Sequence, residues 1–520
     1  MKRLIILIVF FSLLFQTSNA IWHTWCSFVV DGIAYKIVND STVAVTYTGY
    51  DDEYWGMGNS YRTYENDYYG DIVIPSKVAY NDTVYDVKYI TDFAFCKGRY
   101  KLSGNPELDE NVYPLTDWLG VPCENTPIAS IFIPSSIDSI GDYAFYYNKT
   151  LESVIFEDES KFPKLGEKVF FYSKWWLYPQ DQIIINGLMI RWWSRTTDTI
   201  PDNVTRILSY ACYDNRLTTI RIPRTVRHVE SGAFLDAKLE TLIIEESDST
   251  CYFEPFAIAC PLKCVEINAS HFCVGIDTTK NTSLYYKSLS TVIFGEKVQT
   301  ISPICYNLYN LTEITIPTNA KLIEHDAFYL DSSGQGKGIQ KLYYNAISCD
   351  FASYDENAFG DLSLKQVTIG KNVRRLPVNF LRNQYSLQEI VLPSQVDTIG
   401  AYAFNNCVKL ESITSLRPEP VEIEASVFEG VDKQLCVLYV PYSSLPLYRS
   451  APVWKSFLNI KSIRGDVNGD DHVNVSDVAV LINQILGIEP MNTNLADVNG
   501  DGRVNVSDVA ALINIILGIK

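Results

Sequence analysis

Oxygen-bearing side chains recur at fixed spacing in two segments near the end of the chain. Residues 466–477 read DVNGDDHVNVSD, and residues 497–508 read DVNGDGRVNVSD. Asp or Asn stands at positions 1, 3, 5, 9 and 12 of each segment, which is the spacing of a loop that wraps a calcium ion in about six to eight oxygen ligands. The sequence therefore predicts two bound calcium ions. The predicted ligands are Asp466, Asn468, Asp470, His472, Asn474 and Asp477 in the first loop, and Asp497, Asn499, Asp501, Arg503, Asn505 and Asp508 in the second.

The predicted ligands differ in the atom that they offer. His472 and Arg503 at position 7 would contribute only their backbone carbonyls, and the Asn at position 9 would act directly or through water. Both loops depart from the EF-hand pattern by carrying the shorter Asp at position 12. The sharp turn at position 6 has Gly502 in the second loop but Asp471 in the first, where a left-handed backbone costs about 1 kcal/mol. We therefore expect the first loop to be the weaker or more variable site.

One helix is predicted after each loop. Apolar residues at i, i+3, i+4, i+7 and i+8 form a single stripe, and Gly487 and Gly518 are typical residues for closing the helices. No helix is predicted to enter either loop. The stripes are Val478, Leu481, Ile482, Ile485 and Leu486, and then Val509, Leu512, Ile513, Ile516 and Leu517.

This duplicated loop–helix unit resembles a type I dockerin over residues 464–520. The resemblance implies calcium-dependent binding to a cohesin module of a scaffold protein, in two orientations related by the internal repeat. It also implies that loop positions 10 and 11 select the partner, and these are Val475, Ser476, Val506 and Ser507. Hydroxyl pairs are usual there, so Val at position 10 leaves the partner's identity open. The alternative is a pair of Asx-rich surface turns that bind nothing.

The first residues have the pattern of a secretory signal peptide. Lys2 and Arg3 form a basic head, residues 4–15 are almost wholly apolar, and a small-x-small site ends at Ala20. An apolar run of this length is too short to span a bilayer comfortably. Residues 1–20 are therefore predicted to be a signal peptide, with the protein secreted and no membrane span.

The composition of the chain argues against two classes of binding partner. The net charge of −18 argues against nucleic acids and anionic membrane surfaces, and a hydrophobic share of 47% excludes general disorder. The chain is longer than a typical single globular domain, which predicts either several domains or one repeat array.

A repeated phrase accounts for the large middle region. A short apolar strand pattern ends in Pro, and Phe or Cys follows eleven residues later, after Ala. The pairs are Pro134 with Phe145, Pro201 with Cys212, Pro223 with Phe234, Pro317 with Phe328, and Pro393 with Phe404. Because Pro cannot donate to a β-ladder, it should end each strand, and Ala-Phe should fill the interior. A single unit cannot bury its apolar face, so neighbouring units must stack.

The repeats predict a β-solenoid, followed by a small all-α calcium-loop domain. The series resembles the BspA-like leucine-rich-repeat proteins, which are secreted or surface proteins, over residues 71–463. Residues 21–70 are predicted to form an N-terminal β cap, with a hairpin that turns at Asp31-Gly32. Tyr448, Trp454 and Phe457 are candidates to cover the last open repeat.

Two further features leave alternatives open. The aromatic segment 47–69 would bind a sugar ring or, more commonly, pack on the first repeat; Trp175-Trp176 and Trp192-Trp193 have the same alternatives, with packing favoured. Cys251, Cys260, Cys264 and Cys273 cluster without the spacing of a zinc site, so they would be disulfides or, like Cys212, buried thiols.

The sequence favours a non-catalytic function. It contains no G-x-S-x-G, H-E-x-x-H or phosphate-loop pattern, and nothing indicates the facing carboxylates of a glycosidase. We therefore expect a secreted binding or adhesion protein whose repeats bind an unknown protein or glycan. One alternative is a targeting subunit or undetected hydrolase of an extracellular polysaccharide-degrading complex. Another is that the dockerin-like segment only caps the solenoid within the same chain.

Overall fold

A computed structural model describes most of the chain. The described residues are 23–55, 59–65, 67–96, 98–102, 113–114, 127–178, 182–193, 197–254, 260–274, 288–305, 308–324, 327–330, 338–352, 359, 362–470 and 472–519. The chain divides into two compact units, Met1–Ser194 with Ile207–Cys212 and Arg195–Arg206 with Tyr213–Lys520. The predicted signal peptide and Asp471 lie outside the described residues.

The first unit begins with antiparallel strands and continues with parallel ones. Its strands are β1 (His23–Thr24), β2 (Phe28–Val30), β3 (Ile33–Asn39), β4 (Thr42–Thr46), β5 (Gly49–Trp55), β6 (Asn59–Glu65), β7 (Gly70–Val73), β8 (Lys77–Tyr80), β9 (Thr83–Ile90), β10 (Gly98–Leu102), β11 (Tyr113–Pro114), β12 (Ile128–Ile133), β13 (Ser139–Ile140), β14 (Ser153–Phe156), β15 (Lys164–Leu165), β16 (Gln182–Ile185) and β17 (Leu188–Trp192). They form sheets in the orders β1-β5-β6-β10-β11, β14-β12-β7 and β15-β13-β9-β4-β3-β2, with β8 also pairing with β9. The predicted hairpin is confirmed, because β2 and β3 pair antiparallel and Asp31 and Gly32 turn between them with φ of 50° and 78°.

The later strands are short and pair in parallel. They are β18 (Arg206–Ile207), β19 (Thr219–Ile222), β20 (His228–Val229), β21 (Thr241–Ile244), β22 (Cys251–Phe253), β23 (Cys264–Ile267), β24 (Phe272–Val274), β25 (Thr291–Phe294), β26 (Thr300–Ile301), β27 (Glu313–Ile316), β28 (Leu322–Ile323), β29 (Lys341–Tyr344), β30 (Asp350–Phe351), β31 (Gln366–Ile369), β32 (Arg375–Leu376), β33 (Glu389–Leu392), β34 (Thr398–Ile399), β35 (Ser412–Ser415), β36 (Val437–Val440) and β37 (Asn459–Ser462). Within the second unit, sheets run in the orders β19-β21-β23-β25, β27-β29-β31 and β33-β35-β36-β37, while the short return strands pair as β26-β28-β30 and β32-β34. The predicted β-solenoid is therefore confirmed.

Proline ends the long strand of the repeat, as predicted. Strands β12, β19, β27 and β33 each stop at the residue before a Pro. The carbonyl of that Pro then accepts a hydrogen bond from the amide three residues on, as in Ile137 N to Pro134 O (3.1 Å) and Val396 N to Pro393 O (3.1 Å). The chain consequently turns at once toward the short return strand.

The Ala-Phe pairs fill the interior. Ala144, Phe145, Ala403 and Phe404 are fully buried, and aromatic rings of successive repeats stack face to face. In the first unit the centroids of Phe95 and Phe145 lie 4.6 Å apart with an interplanar angle of 10°. Burial of each ring contributes roughly 2–3 kcal/mol, so the repeats are stabilised mainly by their neighbours.

Aromatic side chains close the C-terminal end of the repeats, as predicted. Tyr448, Trp454 and Phe457 are all buried, and the rings of Trp454 and Phe457 each lie 5.3 Å from the ring of Phe428. The Trp454 indole also donates to the carbonyl oxygen of Val421 (2.7 Å). These side chains cover apolar surface that the next repeat would otherwise bury.

Helices are few in the described part of the chain. None of them has the length and hydropathy that a bilayer-spanning helix needs. The α-helices are Lys174–Leu177, Leu445–Ser450, Val475–Ile485, Thr493–Ala496 and Val506–Leu517, and the 3-10 helices are Glu159–Lys161, Pro303–Cys305, Ala425–Phe428, Tyr442–Ser444 and Trp454–Ser456.

The cysteines of the described residues are free thiols. Cys212, Cys251 and Cys260 are buried, and Cys264 and Cys273 are half-buried. Burial raises the pKa of Cys251 to about 12, an effect that nearby Arg227 opposes only in part. The interpretation of these residues as buried thiols is therefore favoured over a disulfide, and their thiolate forms are suppressed at neutral pH.

The aromatic cap should carry much of the stability of the C-terminal repeats. We expect Trp454→Ala to lower the free energy of unfolding of this end by about 3–5 kcal/mol, because it leaves a cavity and an unpaired Val421 carbonyl. Urea unfolding followed by circular dichroism would measure the change. Leu458→Ala, at a side chain that is 71% exposed, serves as the control and should shift the midpoint little; equal effects of the two variants would contradict the capping role.

The buried thiols should resist modification in the folded protein. The reactive species is the thiolate, and burial raises the pKa of Cys251, Cys407 and Cys436 to about 12. These groups should therefore stay protonated and unreactive toward Ellman's reagent at pH 8. In urea without reductant, all 12 cysteines of the chain should react, and a lower count would indicate a disulfide.

Candidate metal centre and docking face

Backbone amides hold the acidic side chains of the first loop. The Oδ1 atom of Asp466 accepts hydrogen bonds from Gly469 N (2.9 Å) and Asp470 N (3.1 Å). Asn468 Oδ1 accepts from Asp470 N (2.9 Å), and Asp470 Oδ1 accepts from His472 N (2.9 Å). Each side chain therefore anchors the amide two to four residues ahead, which makes the loop turn tightly around its own oxygens.

The Asp at position 12 closes the loop. Asp477 Oδ1 accepts from Val467 N (2.8 Å) and Asn468 N (3.1 Å), and its Oδ2 accepts from Asn474 N (2.8 Å). Asn474 in turn accepts from Ser476 N (2.8 Å), which completes a capping box at the start of helix Val475–Ile485. A short side chain suits this position because the carboxylate bridges the loop and the helix cap at once.

The carboxylates of the first loop lie close enough to share an ion. Asp466, Asp470 and Asp477 each offer an oxygen, and these oxygens all lie within 4.8 Å of one another. Opposite ligands of a calcium ion are separated by about 5 Å, because calcium–oxygen bonds are about 2.3–2.6 Å long. Asp466 and Asp477 are fully buried, and buried like charges destabilise each other without a cation. The donor set therefore fits calcium.

The second loop repeats most of these hydrogen bonds, except that Val498 N donates to Ala496 O (2.9 Å) and not to the carboxylate at position 12. Asp508 accepts from Asn499 N (3.0 Å) and Asn505 N (2.8 Å), as Asp477 does in the first loop. Asp497 instead spreads its two oxygens between Gly500 N and Gly502 N, both at 2.9 Å. Among the described residues, no three carboxylates of the second loop have oxygens that all lie within 4.8 Å of one another.

The side chains at positions 6 and 7 behave as the sequence indicated. Gly502 has a left-handed φ of 81°, and the side chains of His472 and Arg503 are exposed. The relative strength of the two loops stays a prediction, because Asp471 is not described.

One helix was missed by the sequence analysis. Helix Thr493–Ala496 leads directly into the second loop, so the expectation that no helix enters either loop is wrong for this loop. Leu495 and Ala496 are buried, and four residues are too few to show a helical period. Helix formation here depends on packing in the core of the domain.

The predicted apolar stripe divides between a core and an exposed face. Val467, Leu481 and Leu512 belong to the buried core of the domain, with Val478 and Val509 packed against it. Ile485 and Ile516 also pack against this core. The other four stripe residues lie outside it, with the following exposed fractions: Ile482 40%, Ile513 41%, Leu486 66% and Leu517 63%. Two short helices cannot enclose all the apolar residues that they carry.

The predicted partner-binding residues lie on the surface beside this face. Val475 and Val506 are each 73% exposed, and Ser476 and Ser507 are exposed. We call Val475, Ile482 and Leu486 with Val506, Ile513 and Leu517 the docking face. Its two halves have nearly equal exposures, so the duplication in sequence is also a duplication of accessible surface.

Histidine and tryptophan side chains of the repeats contact other parts of the fold. His228 Nε2 pairs with Glu254 Oε1 (2.7 Å), and His271 Nδ1 lies 3.2 Å from Thr300 Oγ1. Trp176 and Trp192 are buried, as the packing interpretation predicted. In the aromatic segment, the side chains of residues 51–66 lie outside the description, so sugar binding there stays untested.

Comparisons with known proteins agree with this architecture. The family described as "BspA type Leucine rich repeat region" matches in six copies over residues 121–176, 192–306, 260–346 and 306–435, and "Dockerin type I domain" matches residues 464–517. No curated protein matches the chain.

Similar solved structures are bacterial repeat proteins. A leucine-rich repeat protein from Bacteroides ovatus has 16% identity and a TM-score of 0.32, covering 84% of this chain and 100% of its own. A leucine rich cell surface protein from Faecalibacterium prausnitzii has 16% identity and a TM-score of 0.26, covering 85% and 96%. The pneumococcal vaccine antigen PcpA has 15% identity and a TM-score of 0.22, covering 84% and 98%.

The repeat family alone matches more than half of the chain. The repeats and the dockerin domain are both non-catalytic types. Type I dockerin domains bind calcium and cohesin modules. The protein therefore belongs to the BspA-type leucine-rich-repeat family and carries a type I dockerin domain at its C-terminal end.

Proposed function

We propose that the protein is a secreted, non-catalytic binding or adhesion protein that docks onto a cohesin-bearing scaffold. Docking requires two calcium ions in the loops of the dockerin domain, with the twelve ligands predicted above. The repeats present a surface to a separate protein or glycan ligand. The observation that carries the docking proposal is the exposed, duplicated docking face.

The docking face has the properties of an interface. Leu486 and Leu517 are about two-thirds exposed. Contact of these apolar side chains with water is unfavourable, and burial against a partner would remove it. Their helices begin at capping boxes that depend on Asp477 and Asp508. Calcium ligands and face residues therefore share the same short helices, and loss of calcium should disorder the face.

The two halves of the face support binding in two orientations. Val475 and Val506 have identical exposures, and Ile482 and Ile513 differ by one percentage point (40% and 41%). A cohesin that recognises one half would find the same chemistry on the other after a half-turn. Val at loop position 10 adds apolar area where hydroxyls are usual, so we expect a cohesin with an apolar recess.

Secretion and surface attachment follow from the same proposal. The signal-peptide pattern of residues 1–20 would export the chain, and docking would hold it at a scaffold outside the cell. Residues 21–70 would cap the repeats of 71–463, and 464–520 would form the attachment domain.

A second candidate function is that the dockerin domain only caps the repeats of its own chain. Ile463 N still donates to Val440 O (2.9 Å), so only two residues separate this bond from Asp466. A Cβ on Gly469 would lie 3.6 Å from the Tyr442 ring. The first loop therefore contacts the end of the repeats. The docking face nevertheless remains exposed, which favours an external partner.

A role in a polysaccharide-degrading complex is compatible with docking. In that case the protein would be a targeting subunit or an undetected hydrolase. Release of reducing sugars from plant or mucin glycans by the purified chain would support a hydrolase and contradict the non-catalytic proposal.

Removing one carboxylate should abolish one calcium site. We expect Asp477→Asn to lose one of two binding events in calorimetric titration of the full chain, with at least about tenfold weaker binding at the altered loop. The reason is that Asp477 both ligates the ion and closes the loop. Asp508→Asn should have the same effect on the second loop.

The matched control for these variants is Glu489→Gln. Glu489 accepts from Asn483 Nδ2 (3.0 Å) on the same domain but lies outside both loops. It should retain two binding events. Retention of both events by Asp477→Asn and Asp508→Asn would contradict the assigned ligands.

Two-orientation docking predicts that single and double variants differ. Val475→Asp or Val506→Asp alone should leave cohesin affinity within about threefold, because the other half of the face remains. The double variant should bind about 100-fold more weakly, since each charge would be buried without a partner. Surface plasmon resonance against a panel of cohesins in calcium would measure these affinities.

Leu435→Asp controls for the added charge, because Leu435 is an exposed apolar residue (76%) on the repeats. It should bind as the unchanged chain does. If one single variant abolishes binding, docking uses only one orientation; if the double variant binds normally, the docking face is wrongly assigned.

A further inference from the structure

A cavity of about 490 Å³ lies in the first unit. Its walls come from the tip of the hairpin β2–β3 and from the segment that contains β7 and β8. Val30, Asp31, Tyr35, Asp71 and Lys77 are among its lining residues. Its volume is in the range of small-ligand sites. Both β2 and β7 are edge strands of their sheets.

The feature that distinguishes this cavity is Tyr35. Its side chain is 1% exposed, it lines the cavity, and no described residue forms a hydrogen bond with its hydroxyl. Its ring is fixed by stacking on Phe28, with centroids 5.4 Å apart. A ligand in the cavity would supply the missing partner.

The charges around the cavity favour a cation. Asp31 forms no ion pair with any described residue, and Asp71 accepts only from Ser130 Oγ (2.6 Å) among them. Lys77 also lines the cavity, but its ammonium is already paired with Asp86, 3.0 Å away. Two carboxylates are therefore left without a compensating positive charge.

The protonation state of Tyr35 agrees with binding of a cation. Burial, together with the negative charge of Asp31, raises the pKa of the phenol well above its ordinary value. The hydroxyl therefore remains neutral at physiological pH, and its oxygen can accept a hydrogen bond from a cationic donor.

We propose that this cavity binds an alkylammonium group. The ammonium would donate to Asp31, Asp71 and the hydroxyl oxygen of Tyr35, which matches its three donors to three acceptors. The alkyl stem would lie against Ile33, Ile72 and Val78, apolar residues that line the same cavity. Such a group is carried either by a lysine side chain of a partner protein or by a small free amine.

Ligand-observed saturation-transfer NMR on the full chain would test this proposal. The probes are n-butylamine and the peptide acetyl-Gly-Lys-Gly-amide, and the neutral control is the same peptide acetylated at the lysine Nε. Both charged probes should bind at least about tenfold more tightly than the control, because acetylation removes the charge and two donors. Tighter binding of the peptide would identify a protein partner, and tighter binding of butylamine would identify a free amine.

Variants of the cavity locate the site. Tyr35→Phe and Asp31→Asn should each weaken binding of the charged probes about tenfold, since each removes one hydrogen bond to a charged group. The matched control Asp40→Asn removes the same charge from an exposed residue outside the cavity lining and should leave binding unchanged.

The melting temperature should be unchanged in Tyr35→Phe, because its hydroxyl has no partner to lose. If Tyr35→Phe does not fold, binding of the charged probes to Asp31→Asn, which lies at the exposed turn, tests the proposal. The proposal is overturned if neither charged probe binds, if the acetylated peptide binds equally well, or if the folded variants bind as the unchanged chain does.

Discussion

The structure depends on one constraint: a repeat of about twenty residues cannot bury its own apolar face. Alternate residues of each strand point inward, as Ile220 and Ile222 do in β19, and they find apolar contacts only on the adjacent repeats. Stacked rings such as Phe404 and Phe428, 5.5 Å apart, connect the interior from one repeat to the next. The same constraint requires a cover at the end of the array. Trp454 and its aromatic neighbours meet that requirement.

The dockerin domain is also too small to be stabilised by its own apolar core alone. Its core is small, with Leu481 and Leu512 fully buried at its centre. Below about 40–60 residues, hydrophobic burial alone seldom stabilises a domain, and bound metals commonly add the difference. Buried carboxylates at Asp466 and Asp477 are unfavourable without a cation, so we expect calcium binding and folding to be coupled. Apolar residues that the small core cannot enclose remain on the surface, where they are available to a partner.

Regular spacing made most of the fold predictable from sequence. The Pro positions located the strand ends, and the Ala-Phe pairs located the interior. The sequence did not predict the backbone conformation beside the interior Ala-Phe or Ala-Cys pairs. Tyr143, Tyr210 and Tyr402 each precede the buried Ala with a positive φ, of 57°, 63° and 59°. Tyr rarely adopts this region. The division of the helix stripes into core and docking face depends on how two helices pack, and hydrophobic period alone does not give that. The Tyr35 cavity brings together β2, β3, β7 and β8, which lie too far apart in sequence for any local pattern.

We propose that calcium organises a face by which the whole chain attaches to a scaffold. Sedimentation velocity of the full chain with a scaffold fragment that carries several cohesins would test it most directly, in calcium and again after chelation. We expect one chain per cohesin in calcium and complete dissociation when calcium is removed. A chain that binds two calcium ions yet sediments alone in the presence of every cohesin would contradict docking and favour the intramolecular cap.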